Sequence, residues 1–288
     1  MDIAAQLILN AIIAGAIYSL LALGFNLLYS TARFFDLGYG AMSVAGAYVA
    51  YTFYNLLDLS VPIAVLAGVL AAGTLGFVVE KLVYRPLRAR KATHTVLLIA
   101  SLGVLIVIQA VISIIFSSQF KILSKDVNLE PVFNVFGGAI TQTQVIILVA
   151  ALLIMVALAL TLKYTLFGKA VNAIADDEEV ARVVGVNSER VIGVVFFVGS
   201  AIGGAAGIAT AFDSGIYPTI GLPLLLNGVI AFIVGGVGNV YGAVLGAFAL
   251  AITENAAAWF LPGEWKFAIA FLVLIIFLIF RPQGILPK

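Results

Sequence analysis

Long apolar runs follow one another along almost the whole chain and are separated by short polar segments. A helix needs about 20 apolar residues to cross the hydrocarbon core of a bilayer, so the runs predict membrane-spanning segments. None of them alternates apolar and polar residues as a membrane barrel strand does, and backbone groups in lipid must be paired, so we expect helices. The nine runs cover residues 7–29, 38–54, 61–79, 96–116, 144–162, 191–212, 220–236, 240–261 and 264–280.

Two of these runs are short and interrupted by glycine or proline. They read "GYGAMSVAGAYVAYTFY" at 38–54 and "IGLPLLLNGVIAFIVGG" at 220–236. Each is expected to be a half-helix or a re-entrant segment, and broken helices expose backbone groups that can bind the charged ends of a solute. The candidate path residues in these runs are Gly38, Gly40, Gly221 and Gly235.

The composition agrees with a polytopic membrane protein. Of the 288 residues, 63% are hydrophobic and 10% are charged, against roughly a quarter charged in an average soluble domain. We predict an all-α fold of about eight to ten transmembrane helices, in a single domain over residues 1–288. The net charge of +1 gives no positive field that would attract nucleic acid. The chain has no cysteine and one histidine, His94, so it cannot build a thiolate or multi-histidine metal site.

The distribution of lysine and arginine predicts the orientation. If residues 80–95 and 163–190 are cytoplasmic, counting spans places the N-terminus outside and the C-terminus inside. Twelve of the fifteen basic residues then lie inside, as the positive-inside rule requires. These are Arg33, Lys81, Arg85, Arg88, Arg90, Lys91, Lys163, Lys169, Arg182, Arg190, Arg281 and Lys288, against Lys121, Lys125 and Lys266 outside.

Two rows of glycine at four-residue spacing indicate close helix packing. On a helix, such a row makes a groove in which another backbone can approach; a subunit interface or a pore lining is the alternative. The chain contains no phosphate-binding loop of the form Gly, four residues, Gly-Lys-Ser/Thr, so we predict no site for ATP hydrolysis. The rows are Gly199, Gly203 and Gly207, followed by Gly238, Gly242 and Gly246.

A polar island, "GKAVNAIADDEEVARVVGVNSERV", interrupts the apolar runs at residues 168–191. An acid at the bilayer centre costs about 3 kcal/mol, so its four consecutive acids must lie outside the hydrocarbon. Their spacing predicts a short helix that Asp176 caps, with Glu179 completing a capping box and Gly185 ending it. One side of this helix would present Val180, Val183 and Val184 to a soluble partner. A solvated connecting loop is the alternative.

Few polar groups lie within the apolar runs or beside them. Glu254 is the clearest candidate for the path, with a packing or interfacial role as the alternative. Arg33 and Asp36 flank a turn at the cytoplasmic face and are expected to pair with each other. Three asparagines are expected to hydrogen-bond to neighbouring helices, with hydrogen bonding to a zwitterionic solute as the alternative. They are Asn26, Asn227 and Asn239.

Three ordered blocks resemble the signature segments of Liv-type permeases, the membrane subunits of branched-chain amino acid ABC importers. They are "FFDLGYGAMSVAGAYVA", "GKAVNAIADDEEVARVVGVN" and "NGVIAFIVGGVGNVYGAVLGA". Within the second block, "EVARVVG" resembles the Glu-Ala-Ala, three residues, Gly core of the cytoplasmic loop of ABC importer permeases, with Val180 in place of the first alanine. The length of the chain is similar to that of the H-type subunit.

The resemblance implies a set of partners in a bacterial or archaeal inner membrane. They are a second homologous permease, giving a heterodimer, two cytoplasmic ATPase subunits and an extracytoplasmic solute-binding protein. ATP and Mg²⁺ would be used by the ATPases, and this chain would bind no cofactor. Residues 163–190 would form the coupling loop, in which Glu179, Ala181 and Gly185 match the family motif.

Two other function classes are considered beside the importer. A stand-alone secondary transporter or channel usually has acids or histidine in mid-membrane for ion coupling, and this chain has little beyond Glu254. A membrane enzyme would need a nucleophile or an acid/base pair in a cavity, which the runs do not supply. Within the importer interpretation, the solute stays open among leucine, isoleucine, valine, other amino acids, amides and urea.

Overall fold

The computed structural model describes residues 3–123, 131–135, 137–262, 265–281 and 283–286. Helices dominate these ranges, which confirms the all-α membrane fold. Within the described ranges, seven helical segments are long and apolar enough to cross a membrane, and Lys266–Phe280 is a shorter apolar helix. Lys125 and Lys288, two of the residues used to predict the orientation, lie outside the described ranges.

The helices correspond closely to the predicted apolar runs, with additional short helices in the polar segments. They are α1 (Ile3–Ala32), α2 (Gly38–Tyr51), α3 (Val61–Val79), α4 (Arg85–Ala89), α5 (His94–Phe116), α6 (Gln142–Tyr164), α7 (Leu166–Asp176), α8 (Glu178–Val183), α9 (Ser188–Asp213), α10 (Gly221–Gly235), α11 (Val240–Ala257) and α12 (Lys266–Phe280). A π-helical turn, Thr52–Leu56, extends α2, and a second one, Glu80–Tyr84, joins α3 to α4. A 3₁₀ turn, Pro218–Ile220, precedes α10.

The core forms around α1, α2, α9, α10 and α11. The central part of α1 packs against α9, α10 and α11, and α2 packs against α3, α9 and α10. By contrast, α5 and α6 are apolar all round, and only 17% of the most apolar window of each is buried. Helices of this kind are typical of membrane spans, whose outer faces contact lipid rather than protein.

The two interrupted runs form helices that meet at their glycines. The second run was expected to be a half-helix or re-entrant segment, but it lies in an 18-residue helical segment, Pro218–Gly235, that is long and apolar enough to cross a membrane. The α-helical part of the first, α2, has 14 residues, a length of about 21 Å at 1.5 Å per residue, which is less than the thickness of the hydrocarbon core. A Cβ on Gly40 would overlap the carbonyl oxygen of Gly221, so the backbones of α2 and α10 are in direct contact there. Gly38 faces the side chains of Val104 and Tyr84 instead.

The first glycine row faces the neighbouring helices α1 and α2. A Cβ on Gly199 would lie 3.0 Å from the carbonyl oxygen of Gly24 in α1. Gly203 and Gly207 face α2, where a Cβ on Gly207 would lie 2.8 Å from the carbonyl carbon of Ser43. These three positions therefore allow α9 to approach both α1 and α2 closely.

The second glycine row is only partly helical. Gly242 and Gly246 lie on α11 and contact the backbone of α10 at Gly235. Gly238 was expected on the same helix, but it lies in the preceding turn with φ of +83°. The physical reason is that Asn239 caps α11, its side chain accepting hydrogen bonds from the amides of Tyr241 and Gly242.

A small antiparallel hairpin was not anticipated. Its strands are β1 (Val132–Val135) and β2 (Gly138–Thr141). The side chain of Gln6 fixes it to the start of α1, accepting a 2.8 Å hydrogen bond from the amide of Ala139 and donating a 3.1 Å bond to the carbonyl of that residue. The hairpin therefore lies at the end of the bundle where α1 begins.

Candidate functional site

The polar island folds as two short helices, α7 and α8, joined at one extended residue. That residue is Asp177, with φ of −153° and ψ of 116°, and its side chain accepts hydrogen bonds from the amides of Glu179 (2.8 Å) and Val180 (3.1 Å). Asp176 was predicted to be the cap, but it is the last residue of α7. Because the chain leaves the helical conformation one residue later than expected, the cap moves to Asp177 and the predicted capping box with Glu179 does not form.

The far end of α8 stops where the sequence predicts. Gly185 has φ of +92°, a conformation that glycine adopts without steric cost. The amide of Val186 donates to the carbonyl of Ala181 (3.0 Å) and the amide of Gly185 to that of Arg182 (3.0 Å), which is a Schellman motif. Asn187 then caps α9 by accepting from the amide of Arg190 (3.1 Å). Both ends of α8 are therefore fixed by specific hydrogen bonds.

An apolar face of α8 and its C-terminal turn is open to the surroundings. The exposed fractions of Val180, Val183 and Val184 are 59%, 87% and 71%, whereas Ala181 is 2% exposed and faces the bundle. Glu179 and Gly185 are also exposed. Three adjacent exposed valines in a segment too polar to lie in lipid are typical of a surface that binds another protein.

The cap gives a first prediction. Replacing Asp177 with Ala leaves the amides of Glu179 and Val180 without their acceptor, at a cost of about 1 kcal/mol. We expect faster amide hydrogen exchange over residues 178–183 in the purified protein, measured by mass spectrometry. Asp177→Asn is the matched control, since asparagine caps helices equally well. Equal exchange in the alanine variant and the wild type would show that α8 is held by other contacts.

Polar contacts link α7 and the start of α9 to the membrane helices. Arg33, just after α1, donates to the carbonyl oxygen of Ala175 in α7. Arg85 in α4 forms an ion pair with Glu189 in the first turn of α9. A second pair, between Arg88 and the buried Glu80, joins α4 to the π-helical turn that follows α3. The island is thus bonded directly to α1 and, through the start of α9, to the end of α3.

Arg33 and Asp36 bond to other partners instead of pairing with each other. Asp36 accepts a 2.6 Å hydrogen bond from the hydroxyl of Tyr84 and a 2.9 Å bond from the amide of Gly38. Burial raises the pKa of Asp36 to about 6, and these hydrogen bonds oppose the rise. The acid is buried because the turn between α1 and α2 folds against the end of α3, which the local sequence does not reveal.

The polar residues of the apolar runs are mostly buried. Glu254 is 2% exposed and accepts a 2.8 Å hydrogen bond from the hydroxyl of Tyr18 in α1. Asn26 and Asn227 are buried, and the side-chain oxygen of each has no hydrogen-bond partner. Asn239 serves as a helix cap rather than as a bond between helices. Within the described ranges, no three His, Asp or Glu side chains come together as a metal site.

Comparison with known proteins agrees with this architecture. Residues 7–278 match the family model described as branched-chain amino acid transport system / permease component. The chain is 29% identical to the high-affinity branched-chain amino acid transport system permease protein LivH of Salmonella typhimurium, covering 98% of this chain and 95% of that protein. The corresponding protein BraD of Pseudomonas aeruginosa is also 29% identical, with the same coverage of both chains.

A solved structure has a similar fold. It is that of PsaBC from Streptococcus pneumoniae in complex with Fab, at a TM-score of 0.50 and 13% identity, covering 98% of this chain and 93% of the other. At this identity the likeness concerns the fold alone. The family model spans most of the chain and the first relatives match it from end to end, so the resemblance seen in the three sequence blocks is confirmed. The chain belongs to the family of permease components of branched-chain amino acid transport systems.

Proposed function

We propose that this chain forms the translocation path of an ATP-driven importer for branched-chain amino acids or a related small solute. The observation that carries the proposal is the capped α8 helix with its exposed valine face. A helix fixed at both ends can be displaced by a bound partner without unfolding. Hydrogen bonds and ion pairs then carry the movement to α1 and α3 as a rigid-body rearrangement.

The partners follow from the same proposal. A homologous second permease would complete the path, two ATPase subunits would hydrolyse ATP with Mg²⁺, and an extracytoplasmic protein would deliver the solute. Residues 163–190 would be the cytoplasmic coupling loop of a single domain, residues 1–288, in the inner membrane of a bacterium or archaeon. With that loop inside, the N-terminus would lie outside and the C-terminus in the cytoplasm.

Opening of the path would require α2 and α10 to separate. Gly40 and Gly221 are in backbone contact, and Gly235 is in contact with Gly242. We infer that these contacts close the space between the helices that hold the candidate path residues, as a closed state of the transporter requires. Glycine suits such a contact because two glycine backbones can separate and meet again without displacing a side chain.

Reconstitution tests the proposal. The chain would be placed in liposomes with its second permease and binding protein, with and without the ATPase subunits. Uptake of leucine, isoleucine, valine and urea would then be measured. We expect uptake only with the ATPases and ATP, because this chain contains no phosphate-binding loop. Solute uptake by this chain alone, without ATP, would favour the secondary transporter or channel instead.

A further inference from the structure

A polar cavity lies at the end of the bundle opposite to α7 and α8. The segment with these two helices connects the end of α6 to the start of α9. The other ends of the same helices, near Gln144 and Asp213, meet at the cavity together with the start of α12 and the last turn of α11. If the coupling loop is cytoplasmic, the cavity opens on the side from which solute arrives.

The cavity is built mainly from polar side chains. Its volume is about 290 Å³, and Ile13 and Ala14 supply the apolar part of its wall. A 3.0 Å hydrogen bond from the side-chain amide of Gln144 to Asp213 joins α6 to α9 across the rim. The two charged residues of the lining, Asp213 and Lys266, are exposed, and charges are costly in lipid, so this wall faces water or a solute. The polar lining residues are Asn10, Tyr18, Gln144, Asp213, Asn255 and Lys266.

The cavity extends inward to Tyr18, which is hydrogen-bonded to a buried acid, Glu254. Tyr18 lies near the middle of α1, about 22 Å from its first residue at 1.5 Å per residue. The hydroxyl of Tyr18 donates a 2.8 Å hydrogen bond to the Glu254 carboxylate. The lone pairs of the tyrosine oxygen are therefore free to accept a hydrogen bond from a group in the cavity. Lys266 at the rim interacts electrostatically with Glu254. The buried acid therefore contributes to the field of the cavity and fixes the tyrosine.

Positive and negative groups lie at different helix ends around the cavity. Lys266 is the first residue of α12, where the helix dipole is positive and favours an anion. Asp213 is the last residue of α9, where the dipole is negative and favours a cation. Side chains and dipoles together match a molecule with one carboxylate and one ammonium, whereas an uncharged amide or urea carries no charge to attract either Lys266 or Asp213.

We propose that this cavity binds a zwitterionic α-amino acid, with Lys266 holding its carboxylate and Asp213 and the Tyr18 hydroxyl holding its ammonium. Glu254 is a positioning residue that orients Tyr18. The inference rests on the proposed transport function and narrows its substrate to zwitterions. A site of this kind makes the permease itself selective, independently of the protein that delivers the solute.

Equilibrium binding of radiolabelled leucine tests the site. The assembled transporter would be used in nanodiscs, without the solute-binding protein. We expect saturable binding that weakens at least tenfold in Lys266→Met and in Asp213→Asn, and no competition from uncharged isovaleramide. Lys121→Met, a cation outside the cavity that lies over the ring of Tyr51, is the matched control and should bind as the wild type does.

The two proposals fail in different ways. Absence of saturable leucine binding, equal affinity in all three variants, or competition by isovaleramide as strong as by valine would overturn the site, even when ATP-dependent uptake is intact. Loss of ATP dependence would overturn the importer proposal, and the leucine-binding measurement would still test the cavity site independently. Asp213→Asn can still accept the hydrogen bond from Gln144, so a binding defect in that variant reports the lost charge rather than a lost fold.

Discussion

Replacing Val183 with Asp is expected to abolish solute-stimulated ATP hydrolysis while the permease still inserts and folds. The side chain is 87% exposed, so the folded chain alone accepts a carboxylate there at little cost. In the proposed complex the same position would be buried against an ATPase subunit, where an unpaired charge costs several kcal/mol. Since each 1.4 kcal/mol is a factor of ten, about 4 kcal/mol would weaken the contact by roughly a thousandfold.

The measurement is the ATPase rate of the reconstituted transporter with and without its loaded binding protein. Val183→Ile is the matched control, because it keeps an apolar side chain at the same position and should preserve stimulation. Asp at Val180 or Val184, which share the exposed face, should have the same effect as Asp at Val183. Stimulation that persists in all three Asp variants would make residues 163–190 an ordinary connecting loop.

Hydropathy predicted most of the helices because the bilayer imposes a length and a composition on each span. The segments α5 and α6 correspond almost residue for residue to the predicted runs 96–116 and 144–162. Lipid surrounds most of their surface, so their apolar sequence is determined by the solvent rather than by particular neighbours. The family resemblance was predictable because three blocks resemble the signature segments of the family in the same order along the chain, which is more specific than one short motif.

Local chemistry predicted the existence of α8 better than its boundary. Asp176 and Asp177 are both competent caps, and the choice between them depends on where α7 ends, which is a matter of its packing on α6 and α9. Gly238 was misassigned in a similar way, because the four-residue spacing of the glycines does not reveal that the helix starts only at Val240, two residues after Gly238. Asn239 carried the overlooked signal, being a strong N-cap residue.

Contacts between distant parts of the chain were beyond sequence reasoning. Tyr18 and Glu254 are 236 positions apart, and nothing near either residue indicates the other. The burial of Asp36 against Tyr84 likewise depends on how α3 lies beside the turn after α1. Apolar helices present similar surfaces on every side, so hydropathy does not determine which faces meet. The cavity at the end of the bundle follows from those contacts and was therefore not predicted.

The second large effect concerns a single methyl group between α2 and α9. Gly207→Ala places a Cβ that would overlap the backbone carbonyl oxygen of Ser43 and lie 2.8 Å from its carbonyl carbon. A backbone cannot rotate away as a side chain does, so the two helices must move apart, at a cost of about 1 to 3 kcal/mol. We expect a lower midpoint of thermal unfolding in detergent and reduced uptake, since α2 holds two of the candidate path residues.

Gly103 is the matched control for this substitution. It lies within α5, and a Cβ there meets nothing within 4 Å. Alanine is favoured over glycine in a helix by about 0.5 to 1 kcal/mol, so Gly103→Ala should leave the midpoint unchanged or raise it. The two variants differ by the same methyl group, and only its surroundings distinguish them. Equal midpoints would mean that the close approach of α9 to α2 at Gly207 does not limit stability, and the glycine row would lose its role in packing.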